Sequence, residues 1–243
     1  MSDPRKGFFG HPRGLATLFF TEMWERFTFY GMRALLVLFL VDAVESGGYG
    51  LDDKTATAIY GLYTAAVFMA ALPGGWIADR LIGAQRAVMI GGTLMTLGTL
   101  MLTIPGPKQL FFGGLVVIIL GVGLLKPNVS TLVADLYPEG GGRRDAGFTI
   151  FYMGINLGAF IGPLIAGWLA QRYGWRIGFL AAAIGLPFGL LQFWLSRRLF
   201  DGAGAHPNRI DGGAGLATDW RRLWVALAVF AAVAALLFSG TVH

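Results

Sequence analysis

Between Gly14 and Val41 the chain is apolar over a length that crosses a bilayer, yet it carries Glu22, Glu25, Arg26 and Arg33. Each such charge at mid-helix costs about 2.5–3.5 kcal/mol on an insertion scale, so four together cost about 10–14 kcal/mol. A lipid-facing helix does not carry that load; these groups must face protein or water. Helical spacing agrees. With Glu22 at zero, Glu25, Arg26, Phe29 and Arg33 fall near about 300°, 40°, 340° and 20°, with Tyr30 at the margin near about 80°. Trp24, Phe27 and Gly31 take the opposite side. Glu22 and Arg26 are spaced for an i,i+4 pair. A buried pair that only fixes packing is the plain alternative, but four buried charges are a poor way to gain stability. The spacing instead predicts a wet cavity that handles protons and a charged solute.

A second deep charge, Lys126, interrupts another apolar run just before Pro127, which removes a backbone donor and predicts a kink. Lys126 stands nine residues before Asp135, and Glu22 nine after Arg13, which is about 13 Å of helix rise in each case. Asn156 and Phe68 lie eleven residues from Asp145 and Asp79, or about 16 Å. Four helices thereby bring unusual residues to one level, as a central solute site requires. Arg26, Arg33 and Lys126 outnumber Glu22 and Glu25 by one charge. That surplus favours a carboxylate ligand, and protonating a glutamate would release Arg26 to bind it. Asn156 reads as a ligand contact, Tyr30 as a hydrogen-bond donor or a packing residue, and Phe68 by itself as packing. Gly154, Gly158 and Gly162 recur every fourth residue and read as a close helix contact.

The positioning elements follow from composition. Of 243 residues 55% are hydrophobic and 14% charged, with no cysteine and three histidines, His11, His206 and His243, all outside the apolar runs. This excludes disulfides and thiolate chemistry and argues against a metal site. Seven apolar segments reach membrane length, at about 14–43, 55–78, 86–105, 109–135, 146–171, 176–196 and 220–240. The run after the basic N-terminus is too long and too charged for a cleavable signal. With the N-terminus inside, twelve Lys and Arg fall inside and four (Lys54, Lys108, Arg172 and Arg176) outside. The basic excess is therefore a topology signal and not a nucleic-acid patch.

Gly75-Trp76-Ile77-Ala78-Asp79-Arg80 and Gly167-Trp168-Leu169-Ala170-Gln171-Arg172 form an internal repeat 92 residues apart, three spans long. An odd period inverts the second copy, the arrangement of secondary transporters. Gly75, Asp79 and Arg80 sit at a turn able to act as a charge lock at one end, or as a plain solvated loop. Residues 201–219 are Gly-rich and read as a cytosolic linker.

These motifs resemble the proton-coupled oligopeptide transporters, the peptide branch of the major facilitator superfamily. That family's first-span motif is Glu-x-x-Glu-Arg-Phe-x-Tyr-Tyr-Gly; here it stands as Glu22-Met-Trp-Glu25-Arg26-Phe27-Thr-Phe29-Tyr30-Gly31. Lys126 is similar to the family's fourth-span lysine, Phe151-Tyr152-Met-Gly-Ile-Asn156 to its fifth-span motif, and the Asp79 turn to the superfamily signature. The resemblance covers about residues 10–200. It implies an all-α membrane protein: a six-helix N-terminal bundle of 3+3 inverted repeats over 1–200, a linker at 201–219 and an additional transmembrane helix at 220–243. It further implies proton-coupled uptake of di- and tripeptides across a bacterial inner membrane, N-terminus cytoplasmic, with no cofactor beyond protons and no enzymatic activity. Glu22, Glu25 and Arg26 would couple the proton; Arg26, Tyr30, Arg33 and Lys126 would meet the peptide carboxylate, and Asn156 the backbone or amino end. Phe29 and Phe68 replace tyrosines of the family pattern, each at the loss of a hydroxyl. Family members have two six-helix halves, so a C-terminal half is the expected partner and the chain reads as a fragment. The alternatives are a carrier of nitrate or a carboxylate drug, an intramembrane enzyme using Glu22 or Glu25 as a base, and a half that only assembles with a partner.

Overall fold

A computed structural model describes residues 7–207 and 215–225. Six long helices follow one another: α1 Arg13–Val41, α2 Asp53–Ile77, α3 Ala84–Met101, α4 Lys108–Asp135, α5 Gly141–Tyr173 and α6 Trp175–Leu195. Pro12 and Pro107 stand directly before α1 and α4, where a fixed φ starts a helix without costing it a bond. Asp52 caps α2 by accepting from the Thr55 amide at 3.0 Å. By length and composition α2, α4, α5 and α6 suffice to cross a membrane. The 29 residues of α1 are long enough, but they include the charged stripe. This is a membrane protein. Most of the seventh predicted span falls outside the described residues; 216–225 are helical.

α1 packs on α5 and α6, whereas α4 packs on α2 and α3. The two three-helix units therefore exchange partners, as an inverted repeat predicts. With little hydrophobic drive between helices in lipid, close backbone approach does the work. A Cβ on Gly154, Gly158 or Gly162 of α5 would strike the carbonyls of Phe19, Met23 or Phe27 on α1. Gly74 and Gly123 make the matching contact between α2 and α4.

The repeat holds one irregularity. Gly75 and Gly167 are 92 positions apart, but Gly83 and Gly174 only 91. The first copy absorbs its extra residue in a π-helical turn, Ala78–Ile82. There the Gly83 amide donates to the Ala78 carbonyl five residues back, while the Gly174 amide donates to Ala170 four back, both at 2.8 Å. Both glycines then take the same conformation, φ 85°, ψ 152° and φ 93°, ψ 163°, a region open essentially to Gly alone. α3 and α6 thus start identically.

Beyond α6 the chain turns back under the bundle. Phe200 is buried with its ring 5.3 Å from Phe193. The carbonyls of Gly204 and Ala203 accept from the Gln85 amide and Gln85 Nε2 at 2.9 and 2.7 Å. The start of the predicted linker is thereby tied to the N-terminus of α3. At the opposite end, Phe39, Phe111 and Phe179 form an aromatic knot with ring centres 4.9–6.0 Å apart.

Candidate functional site

The charged stripe of α1 is inside the bundle. Glu22, Glu25 and Arg26 are 3%, 0% and 4% exposed. Arg26 Nε lies 3.1 Å from Glu22 Oε1 and also bonds Glu25 Oε2. The guanidinium rests over the rings of Phe29 and Tyr30, 5.3 and 5.9 Å from their centres. Trp24, Phe27 and Gly31 face the other way, against Gly185 and Gly189 of α6 and Gly162 of α5. The helical wheel therefore translates directly into two faces, one charged and one packed.

One guanidinium serving two carboxylates leaves atoms over. Glu22 Oε2, Glu25 Oε1 and Arg26 Nη2 are buried without hydrogen-bond partners among the described residues. Such a cluster is costly unless another charge or a proton completes it. Lys126 on α4 is close enough to act electrostatically on Glu22, Glu25 and Arg26. It is half-buried, its Nζ 4.8 Å from the Phe68 ring centre. Pro127 beside it lies within an unbroken α4, and the next side chain, Asn128, donates to the Leu124 carbonyl at 2.6 Å. The chemistry available is an exchange of partners: where a proton sits decides whether Arg26 is held by carboxylates or released to an anion.

Arg33, one face-turn further along α1, extends the site. Its Nε donates to the Tyr60 hydroxyl of α2, and its guanidinium lies 5.0 and 5.9 Å from the rings of Tyr60 and Tyr30. Tyr30 stands between the two arginines. Glu22, Glu25, Arg26, Tyr30 and Arg33 thus form one connected set on α1, while Lys126 and Phe68 pair between α4 and α2. Asn156 is exposed on α5, with no hydrogen bond to that set among the described residues. Gly75, Asp79 and Arg80 lie apart, at the end of α2 and the start of the π turn, with Asp79 exposed.

Sequence reasoning passed over Tyr60 and Tyr63 of α2. Tyr63 is buried and stacks on Phe29 with centres 6.4 Å apart. Their spacing of three residues was the available signal, since it puts both rings on one face of α2. Among the described residues no three His, Cys, Asp or Glu side chains gather as a metal site.

Comparison with known proteins supplies the rest. The sequence profile of the POT family matches residues 85–232, more than half of the chain. A transporter of Bacillus subtilis without assigned function is 49% identical over 96% of this chain and 48% of its own length. A di-/tripeptide transporter of Lactococcus lactis subsp. lactis is 46% identical over 88% of this chain and 44% of its own. The crystal structure of a mutant peptide transporter POT in complex with alafosfalin superposes with a TM-score of 0.89 at 47% identity, covering 96% of this chain and 48% of that one. The chain spans about half the length of the curated relatives it matches.

Proposed function

The chain belongs to the POT family, and we propose that it forms the N-terminal bundle of a proton-coupled importer of di- and tripeptides. The observation that carries this reading is the buried Glu22–Arg26–Glu25 triad with three unpartnered atoms. With both glutamates ionised, they hold the guanidinium. A proton on Glu22 weakens that hold, and Arg26 together with Lys126 then receives the carboxylate of a peptide. Proton and peptide therefore assist each other's binding, which is the coupling a symporter needs. Tyr30, Arg33 and Phe68 line the same chamber, and Asn156 takes the peptide backbone or amino end from α5. Gly75, Asp79 and Arg80 close the cytoplasmic end.

The second half of the site comes from a C-terminal bundle, and the two halves rock around the peptide. The protein sits in a bacterial inner membrane with its N-terminus in the cytoplasm, uses no cofactor but protons, and makes or breaks no covalent bond. Support comes from the peptide-transporter relatives, from the like fold of a POT crystallised with alafosfalin, and from the excess of cations on one side.

The test is uptake of a labelled dipeptide into proteoliposomes carrying the complete transporter. An inward proton gradient should drive accumulation, and excess unlabelled di- or tripeptide, but not nitrate, should suppress it. Glu22→Gln should abolish accumulation while exchange of peptide across the membrane survives. Unchanged gradient-driven uptake in Glu22→Gln overturns the coupling role, and competition by nitrate alone overturns the substrate.

A further inference from the structure

Two buried atoms, one on α2 and one on α1, lack opposite halves of a hydrogen bond. Tyr63, on α2, is 3% exposed and its hydroxyl has no partner among the described residues. Glu25, on α1, is 0% exposed; it gives Oε2 to Arg26 and leaves Oε1 without a donor. The two are joined by packing. The Tyr63 ring stacks on Phe29, 6.4 Å between centres and 25° from parallel, and Phe29 underlies the Arg26 guanidinium at 5.3 Å. The titratable and charged groups around Tyr63 are Glu25, Arg26 and Arg33 of α1 and Tyr60 of its own helix. Glu22 differs: its charged neighbours are Arg26, Glu25 and Lys126, with no tyrosine among them.

A buried hydroxyl and a buried carboxylate oxygen are each expensive to leave unpaired, and one contact relieves both. We infer that Tyr63 is a positioning residue that donates its hydroxyl proton, directly or through one water, to the free oxygen of Glu25. This deepens the proposed proton coupling and rests on Glu22 and Glu25 as its carboxylates. A donor favours the ionised form of the carboxylate it reaches. Tyr63 therefore keeps Glu25 as the standing partner of Arg26 and leaves Glu22 as the carboxylate that takes and releases the proton. The two glutamates, alike in sequence, are made unequal by a residue from another helix. The contact also ties α2 to α1, whose direct packing is slight beside that of α1 on α5 or α6.

Tyr63→Phe tests this, because it removes one oxygen and keeps the ring that stacks on Phe29. In the complete transporter carrying Glu22→Gln, the infrared band of protonated carboxyl groups is titrated with and without Tyr63→Phe. Loss of the donor should move the titration of that band to more alkaline pH by about half a unit or more. An unmoved band overturns the inference. In proteoliposomes, Tyr63→Phe alone should leave dipeptide exchange within about twofold while shifting the pH profile of gradient-driven uptake in the same direction. An unshifted profile, or loss of exchange and driven uptake in equal measure, also overturns it, since the latter marks a purely structural residue. The two arms separate the claims. A moved band in a protein that carries no peptide upholds Tyr63 and sinks the peptide reading. An unmoved band in a protein that accumulates dipeptide does the reverse.

Discussion

His11 Nδ1 lies 2.8 Å from the Tyr137 hydroxyl and joins the segment before α1 to the connection between α4 and α5. Arg143 crosses the same gap, donating to the Gly10 carbonyl at 3.0 Å. Burial and, after it, the nearby Arg143 charge hold the His11 pKa below its ordinary 6.5. The folded value is lower than the unfolded one, so folding favours the neutral ring. Its contribution is complete above about pH 6.5 and drains away as pH falls through the lowered value. Cleavage of residues 7–12 by a protease added to inside-out vesicles should therefore accelerate as the medium is acidified below about pH 6.5. His11→Gln, which keeps a hydrogen-bonding group but no titration, should flatten that profile; equal profiles in the two proteins refute the assignment. In the sequence His11 read as a bland loop residue, because its partner lies 126 positions away. The α1 stripe was legible for the opposite reason. Glu22, Glu25, Arg26 and Arg33 share one helix, so spacing alone sets their common face. Tyr60 and Tyr63 were not legible as neighbours of the charged stripe, since aromatic rings in an apolar helix read as packing until a charge is seen against them.

At the scale of elements, the contact of α5 with α1 depends on glycine more than on any large side chain. A Cβ on Gly158 would come within 2.1 Å of the Met23 carbonyl oxygen and 3.0 Å of Arg26 Cβ. That obstacle is backbone, which cannot swing aside, and it adjoins the arginine of the charged cluster. Gly158→Leu should separate α5 from α1 and destabilise the bundle by about 1–3 kcal/mol. Thermal unfolding in detergent would read this as a fall of several degrees, about 2–4 °C per kcal/mol for a chain of this size. Gly167, whose Cβ would meet nothing within 4 Å, provides the control, and Gly167→Leu should unfold with the parent. A Gly158→Leu protein as stable as Gly167→Leu would show that the glycines are dispensable. Periodicity revealed the Gly154, Gly158 and Gly162 series, as apolar runs revealed the six long helices. It did not reveal the π turn at Ala78–Ile82, because one residue more or less between two repeats leaves hydrophobicity unchanged. Nor did it reveal the strap formed by Phe200, Ala203 and Gly204: glycine-rich composition signals a linker, and its hydrogen bonds to Gln85 and the packing of Phe200 on Phe193 depend on residues distant or unremarkable in sequence.

For the molecule as a whole, the proposed proton-driven import needs a defined direction, and so a defined end of the bundle that meets the cytoplasm. The proposed orientation, N-terminus inside, rests on the cation count, to which Arg172 and Arg176 are exceptions. Arg176 has a structural occupation that explains it: it donates to the Thr103 carbonyl at 3.2 Å, between α3 and α4. An arginine bonded to the fold is poor evidence of sidedness, so it does not weigh against the remaining basic groups. The chain contains no cysteine, which makes every introduced thiol a clean reporter. Lys54 and Lys108 are exposed, and α2 and α3 lie between them, so two crossings must return both to one side. Arg144 and Arg197 are likewise exposed, with α5 and α6 between them. A membrane-impermeant maleimide applied to intact cells should label Lys54→Cys and Lys108→Cys, and should reach Arg144→Cys and Arg197→Cys only after permeabilisation. The reversed pattern would invert the molecule and make the same proton gradient an exporter's drive. Labelling of Lys54→Cys and Lys108→Cys from opposite sides would mean that α2 or α3 does not cross, and the second three-helix unit would then no longer be inverted relative to the first.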